Sequence, residues 1–389
     1  MRIAIVSEVF VPKIDGITNR LRHTIECLRA EGDAVLVFAP GTAVAEHAGA
    51  RVIRVPGLPF PPYPELRATL PDPRIAWHLA RFRPDVVHAV GPACLGVWGI
   101  AAAKALGIPV VASYHTDLPA YLPLHGLGRL RAAAWPLLRA VHGAATWNLA
   151  PSRFTRHQLL AQGVFHVGLW RGGVDTDLFQ PSRRSLAMRL RLAGGRPDAP
   201  LLLYAGRLSP EKNLASLAWV LDALPEARLA LVGDGPARLV LERVFAGGRV
   251  TFPGFLHGEE LAAAFASADA FVMPSKTETL GFVVLEAMAS GCPVVAADAG
   301  GIPDLVTHDE DGILYDADRP EQAAAALREL LAHRGRRAFL ARNARKRAEE
   351  CTWPAETRRL RRAYAKAIHL HRRGSPLRRW LTRVPVLEA

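Results

Sequence analysis

The densest chemistry in the chain lies between Ser275 and Pro293, SKTETLGFVVLEAMASGCP. Glu278 and Glu286 stand eight residues apart on either side of Gly281, where a loop gives way to an apolar helical pattern. Carboxylates accept hydrogen bonds from sugar and ribose hydroxyls, and the amides of Gly281, Phe282 and Val283 at a helix start face an anion. Hydroxyl acceptors beside phosphate donors read as a site for a nucleotide-sugar. The rival reading is a capping glutamate followed by a surface glutamate.

Three further sets follow short apolar runs. Gly206-Arg207-Leu208-Ser209-Pro210-Glu211-Lys212-Asn213 puts two cations around a turn that leads into a helix from 212. Two cations beside helix amides suit a diphosphate and neutralise charge on a departing phosphate; as an isolated pair they equally fit a solvated helix start. The Walker glycine spacing and GK[ST] are absent. His115, after the run ending at Tyr114, is placed to donate a hydrogen bond or move a proton, or simply to satisfy local backbone. Gly16 precedes a helix expected from Asn19 to Glu31 and fits either an anion site or a turn; no GxGxxG accompanies it.

These residues need elements that carry them. In the first half, apolar runs at Arg2–Ser7, Ala34–Phe38, Arg51–Val55, Val86–Ala89, Val110–Tyr114 and Trp147–Ala150 alternate with helical patterns around 74–82, 95–106, 128–142 and 152–162. The pattern restarts with strands at 201–205, 228–232, 249–252, 270–273 and 294–297, and helices at 212–223, 236–245, 259–266, 282–289 and 320–333. Strands spaced by helices predict parallel sheets covered on both faces. The fold class expected is therefore α/β, two doubly wound domains facing across a cleft. The domains are expected at 1–168 and 169–352, with a loop near 165–180 between them and a helical tail over 353–389. Ligands in such sheets sit off the carboxyl ends of the strands.

The 389 residues suit two domains, and half of them are apolar with 22% charged, which excludes a disordered or fibrous chain. Cys27, Cys94, Cys292 and Cys351 lack CxxC spacing, so a disulfide scaffold and a zinc ribbon are out and a reducing, cytosolic setting is expected. Glu8 breaks the first apolar run too early for a signal peptide. The uncharged stretch Val86–Ala103 carries His88 and Pro92 and reads as strand, turn and helix, so no transmembrane helix is expected. The net charge of +13 divides as +7 over 1–168, −2 over 169–352 and +8 over the tail. That points to an anionic partner surface, or to an arginine-rich composition. Nucleic acid is not the expected anion, because no binding motif is present and aromatics make up 7%.

Asp15-Gly16, Gly206-Arg207-x4-Lys212-Asn213, Val232-Gly233-Asp234-Gly235-Pro236 and Glu278-x7-Glu286, in this order over nearly the whole chain, resemble the family-4 retaining glycosyltransferases of the GT-B fold. The resemblance implies that Glu278 binds donor-sugar hydroxyls and Glu286 the ribose. It gives Arg207, Lys212, Gly16 and the amides of Gly281, Phe282 and Val283 to the diphosphate. It sets His115 near the reacting centre and gives the base to the loop Gly254–His257, with Leu256 in it. Thr279-Leu280-Gly281 stands where many relatives carry Phe before the glycine. Tyr114–Pro119, Trp170–Phe179 and Ser275–Gly281 resemble two branches: the sulfolipid (sulfoquinovosyldiacylglycerol) synthases and the GDP-mannose-dependent α-mannosyltransferases acting on lipid acceptors. The run Glu278–Met288 leans toward the sulfolipid group.

The function implied is transfer of a hexose from a nucleotide-sugar to a lipid acceptor, with no metal or other cofactor. Sulfoquinovose from UDP-sulfoquinovose to diacylglycerol is the first expectation and mannose from GDP-mannose the alternative. A nucleotide-sugar epimerase and a basic-face nucleic-acid binder are the rival classes. The partners implied are the donor, the lipid and an anionic membrane surface on the cytoplasmic inner face of the cell membrane. Leu118–Arg139, with Trp135 and arginines at 129, 131 and 139, is expected either to lie on that membrane or to pack as an ordinary helix. Arg372, Arg373, Arg378, Arg379, Trp380 and Arg383 would add attraction.

Overall fold

The computed structural model describes residues 1–374 apart from 14, 42–43, 61–62, 118, 120–121 and 123–127. The chain divides into two compact units, one formed by Met1–Arg171 with Glu356–Ala389, the other by Gly172–Ala355.

Among its described residues unit 1 has ten strands: β1 (Arg2–Ser7), β2 (Ala34–Pro40), β3 (Glu46–His47), β4 (Ala50–Val55), β5 (Leu58–Phe60), β6 (Tyr63–Ala68), β7 (Val86–Val90), β8 (Val110–Ser113), β9 (Trp147–Ala150) and β10 (Val167–Leu169). Its helices are α1 (Gly16–Ala30), α2 (Pro73–Phe82), α3 (Leu95–Ala105), α4 (Arg131–Gly143) and α5 (Arg153–Ala161). Eight strands form one sheet in the order β10-β9-β8-β7-β1-β2-β4-β3, parallel except for β3, while β5 and β6 pair separately. The apolar runs are buried on both faces, as parallel strands under helices must be. The loop expected near 165–180 is corrected at its start: Val167–Leu169 pairs with β9 as an edge strand, Gly168 included.

Helix α1 begins at Gly16 and not Asn19, because the Asp15 carboxylate caps it by accepting the Thr18 amide at 2.7 Å.

Unit 2 carries β11 (Leu201–Ala205), β12 (Arg228–Val232), β13 (Val250–Gly254), β14 (Ala270–Met273), β15 (Val294–Ala297) and β16 (Ile313–Tyr315), all parallel in the order β13-β12-β11-β14-β15-β16. Around it lie α6 (Leu186–Leu192), α7 (Leu217–Ala223), α8 (Arg238–Val244), α9 (Gly258–Ser267), α10 (Phe282–Ala289), α11 (Pro320–Ala332) and α12 (Arg334–Glu349). The helix expected from 212 starts only at Leu217. Pro210–Lys212 and Leu214–Ser216 are 3-10 turns, interrupted by Asn213 in the left-handed region. A last helix, α13 (Trp353–Gly374), belongs to unit 1 from Glu356 onward and buries Leu360, Tyr364 and Ala367 in that unit's core.

Among the described residues no helix is long and apolar enough to cross a membrane. In α4, Ala134 and Leu138 turn inward while Leu137 stays 59% exposed near the exposed Arg139. Most of the segment from Leu118 to Leu127, and Arg378, Arg379, Trp380 and Arg383, lie outside the described residues.

Candidate functional site

Strand order reverses between β11 and β14 in unit 2, and loops leaving such neighbours in opposite directions open a crevice at their carboxyl ends. Arg207 and Lys212 follow β11; Glu278 and Gly281 follow β14. Lys212 Nζ meets Glu278 Oε1 at 2.5 Å, with both side chains about 15% exposed. The cation expected to meet phosphate and the carboxylate expected to meet hydroxyls are thus brought together.

The backbone around Arg207 is held by the Val232–Pro236 loop. Gly206 donates to the Val232 carbonyl at 3.0 Å and Leu208 to that of Asp234 at 2.9 Å. A Cβ on Gly233 would sit 2.0 Å from the Gly206 carbonyl oxygen, so no side chain fits there. Arg207 itself is exposed. The Glu278 backbone is held from the other side: Gly301, in the loop after β15, donates to the Glu278 carbonyl at 2.7 Å. A Cβ on neighbouring Gly300 would lie 2.3 Å from the same oxygen. Sequence reasoning missed this seat; the Gly-Gly pair directly after an apolar run was its signal.

Gly281 starts α10 from φ 95°, a left-handed conformation that glycine adopts without strain. It presents the amides of Phe282 and Val283 at a helix N-terminus. The Phe282 ring turns away to stack on Trp353 at 5.7 Å, so its contribution to an anion is its backbone. Glu286 lies half-buried on the same helix, and burial pushes its carboxyl up to about 7. Leu256 is 4% exposed, which leaves Phe255 and His257, stacked at 5.9 Å, as the more open side chains of its loop.

His115 and Gly16 belong to unit 1. His115 follows β8, and its ring contacts Arg20 of α1, one turn beyond Gly16: Nδ1 lies 3.1 Å from a guanidinium nitrogen and Nε2 lies 2.8 Å from Ser113 Oγ. Burial, then the Arg20 charge, then His88 and His142, hold His115 well below the ordinary histidine range. Glu8, after β1, is buried and accepts the amides of Ala93, Leu95 and Gly96 at the start of α3. Neither Arg20 nor Glu8 stood out in the sequence as a site residue.

Two doubly wound parallel units, with cations, a carboxylate and a helix N-terminus gathered at the switch point of the second, define a glycosyltransferase of the GT-B class. Family profiles agree over both halves: "Glycosyltransferase Family 4" matches residues 14–178 and "Glycosyl transferases group 1" matches 193–347. The chain is 42% identical to sulfoquinovosyl transferase SQD2 of Arabidopsis thaliana, over 92% of this chain and 72% of that one. It is also 42% identical to a GDP-mannose-dependent alpha-mannosyltransferase of Mycolicibacterium smegmatis, over 91% and 94%. Among solved structures, Anabaena Alr3699/HepE in complex with UDP superposes with a TM-score of 0.74 at 21% identity, covering 94% of this chain and all of that one. The chain belongs to the family-4 glycosyltransferases and is a hexosyltransferase.

Proposed function

We propose that this enzyme transfers a hexose, with retention of configuration and without a metal, from a nucleotide-sugar to a lipid acceptor at an anionic membrane face. The observation that carries the donor half is the Lys212–Glu278 pair beside the Gly281 helix start, at the switch point of unit 2. Arg207, Lys212 and the amides of Gly281, Phe282 and Val283 take the diphosphate and stabilise it as it leaves. Glu278, released from Lys212, accepts donor-sugar hydroxyls, and Glu286 accepts those of the ribose. The base lies in the Gly254–His257 loop against the Leu256 backbone. Gly16, at the start of α1, adds an amide to the diphosphate, and the acceptor hydroxyl attacks near His115 from the face the diphosphate leaves.

The acceptor half rests on the relatives, two of which are named for lipids: a GDP-mannose-dependent alpha-(1-6)-phosphatidylinositol dimannoside mannosyltransferase of Mycobacterium tuberculosis, 31% identical, and an alpha-monoglucosyldiacylglycerol synthase of Streptococcus pneumoniae, 27% identical. The membrane part of the proposal, on the cytoplasmic inner face, is supported by the exposed Leu130 and Leu137 beside Arg129 and Arg139 and by the basic tail. UDP-sulfoquinovose and diacylglycerol form the first substrate pair. GDP-mannose is the second reading, favoured by the equal identity to the mannosyltransferase.

Thermal unfolding across UDP- and GDP-sugars decides between them, since a ligand that binds the native state raises the midpoint by mass action. A shift with UDP-sulfoquinovose alone supports the first pair. A shift with GDP-mannose alone moves the enzyme to the mannosyltransferases, and no shift with any donor overturns the donor site. Glu278→Gln is expected to weaken the shift, and an unchanged shift removes its contact.

A further inference from the structure

Helices α1 and α13 and strands β7 and β8 bring five polar side chains into one line within unit 1. Arg20, 1% exposed, approaches His115 Nδ1 at 3.1 Å; His115 Nε2 approaches Ser113 Oγ at 2.8 Å. Ser113 Oγ lies 2.9 Å from His88 Nε2, and His88 Nδ1 lies 2.8 Å from the Tyr364 hydroxyl on α13. Trp170 closes one side: the Arg20 guanidinium sits 4.6 Å over its ring, and His88 and His115 meet the ring edge-on at 5.1 and 5.5 Å.

The line has a direction. A guanidinium only donates, so His115 Nδ1 must accept. A neutral imidazole then carries its single proton on Nε2 and gives it to Ser113 Oγ. Protonating Nδ1 would turn an N–H against the N–H of a buried cation. The proton inventory therefore runs from Arg20 inward, and a helix residue sets the state of a histidine that follows a different element.

We propose that Arg20 is a positioning residue that fixes His115 as the Nε2–H tautomer, so that the ring is a pin for the segment after β8 and not a base for the acceptor proton. This rests on the transferase reading only for its kinetic consequence. The charged and titratable groups facing the ring are Arg20 from α1, His88 from β7 and His142 from α4. Tyr364 reaches it through His88, and Glu356 of α13 faces Arg20. Two further facts agree: burial lowers Arg20 to about 9, which leaves it charged at neutral pH, and burial with the Arg20 charge lowers His88 to about 3. The two histidines are thus held neutral together.

The test is a long-range proton–nitrogen spectrum of the full chain with 15N-labelled histidine, without donor or acceptor, from pH 8 to pH 5. Wild type is expected to keep His115 as Nε2–H, without titration over that range. Arg20→Met, of similar length without a donor, should let His115 exchange between tautomers and titrate higher than in wild type, with burial still holding it below the ordinary histidine range. It should also lower kcat at least tenfold at pH 6 while donor KM changes less than threefold. Arg20→Lys, which keeps a charged donor, should restore the tautomer. A wild-type His115 that carries its proton on Nδ1, or titrates near pH 6.5, overturns the proposal, and it does so even where Arg20→Met does not fold. An unchanged Arg20→Met spectrum overturns it as well. The spectra need no substrate, so an enzyme inactive with every donor would sink the transferase reading and leave the tautomer standing.

Discussion

Beneath the strand ends of unit 1 three buried histidines are held neutral: His88, His115 and His142 are all pushed down, by burial first. At the corresponding end of unit 2 the half-buried Glu286 carboxyl is pushed the other way, up to about 7. The polar partners differ in the same sense. Unit 1 satisfies its groups internally, through Arg20, Ser113 and Tyr364 or through the amides that meet Glu8. Unit 2 pairs Lys212 with Glu278 at a crevice and leaves Arg207 exposed. Two sheets of similar construction thus differ: one closes its polar groups among themselves, the other presents its charges at a crevice.

The sharpest way to break that contrast is Lys212→Ala. Loss of a cation aimed at developing phosphate charge is expected to lower kcat by about 10²–10³; steady-state kinetics within threefold of wild type would remove Lys212 from the leaving-group site. Next comes Gly233→Ala, which drives a Cβ to 2.0 Å from the Gly206 carbonyl oxygen at a φ of 127°. A loss of about 3 kcal/mol is expected by urea unfolding. Gly247→Ala, where nothing lies within 4 Å, should change stability by no more than about 1 kcal/mol.

Two pH experiments sharpen the comparison. A carboxyl at about 7 in the empty protein must release its proton to accept ribose hydroxyls as an anion. Donor Kd should therefore rise about tenfold per pH unit below 7, and Glu286→Gln should flatten that profile in calorimetric titrations. The smallest effect is on local stability. His88 is depressed on folding, so its contribution is present above the unfolded value near 6.5 and falls by about 1.4 kcal/mol per pH unit below it. Glu286 is raised, so unit 2 gains stability as pH falls from 7 toward 4.5. Glu8 and Glu356 in unit 1 carry the Glu286 sign in the acid part of this range. Hydrogen exchange between pH 7 and 5.5 should show β7 and β8 opening more readily while α10 opens less; parallel changes in both would defeat the contrast.

Much of this architecture could be read from residue order, because buried parallel strands such as Ile3–Val6 and Leu201–Ala205 are nearly unbroken apolar runs. What escaped has physical reasons. Strands β10 and β16 are three residues long at sheet edges, and Gly168 in β10 reads as a breaker. Helix α12, RGRRAFLARNARKRAE, buries only Leu340, Ala344 and Ala348, an apolar stripe too thin to show through its arginines. The residues that meet at the unit 2 switch point could be picked out because Glu278, Arg207 and Lys212 lie just beyond unbroken apolar runs, beside Gly281 and Gly206. Arg20 could not, since an arginine on a helix reads as solvated. Its register with Thr24 and Leu28, four and eight residues on along the buried face, was the signal.

The 2.5 Å contact between Lys212 and Glu278 also bears on turnover. On the proposed donor reading, a diphosphate that draws Lys212 away strips Glu278 of that counterion inside a crevice where water screens little, and the sugar hydroxyls of an intact donor refill the gap. Once the hexose has moved to the acceptor, the spent nucleotide still holds the lysine, but nothing on it satisfies the glutamate. Re-forming the contact then competes with the product. The resting site acts as its own displacing agent, and the spent nucleotide should bind less tightly than the intact donor.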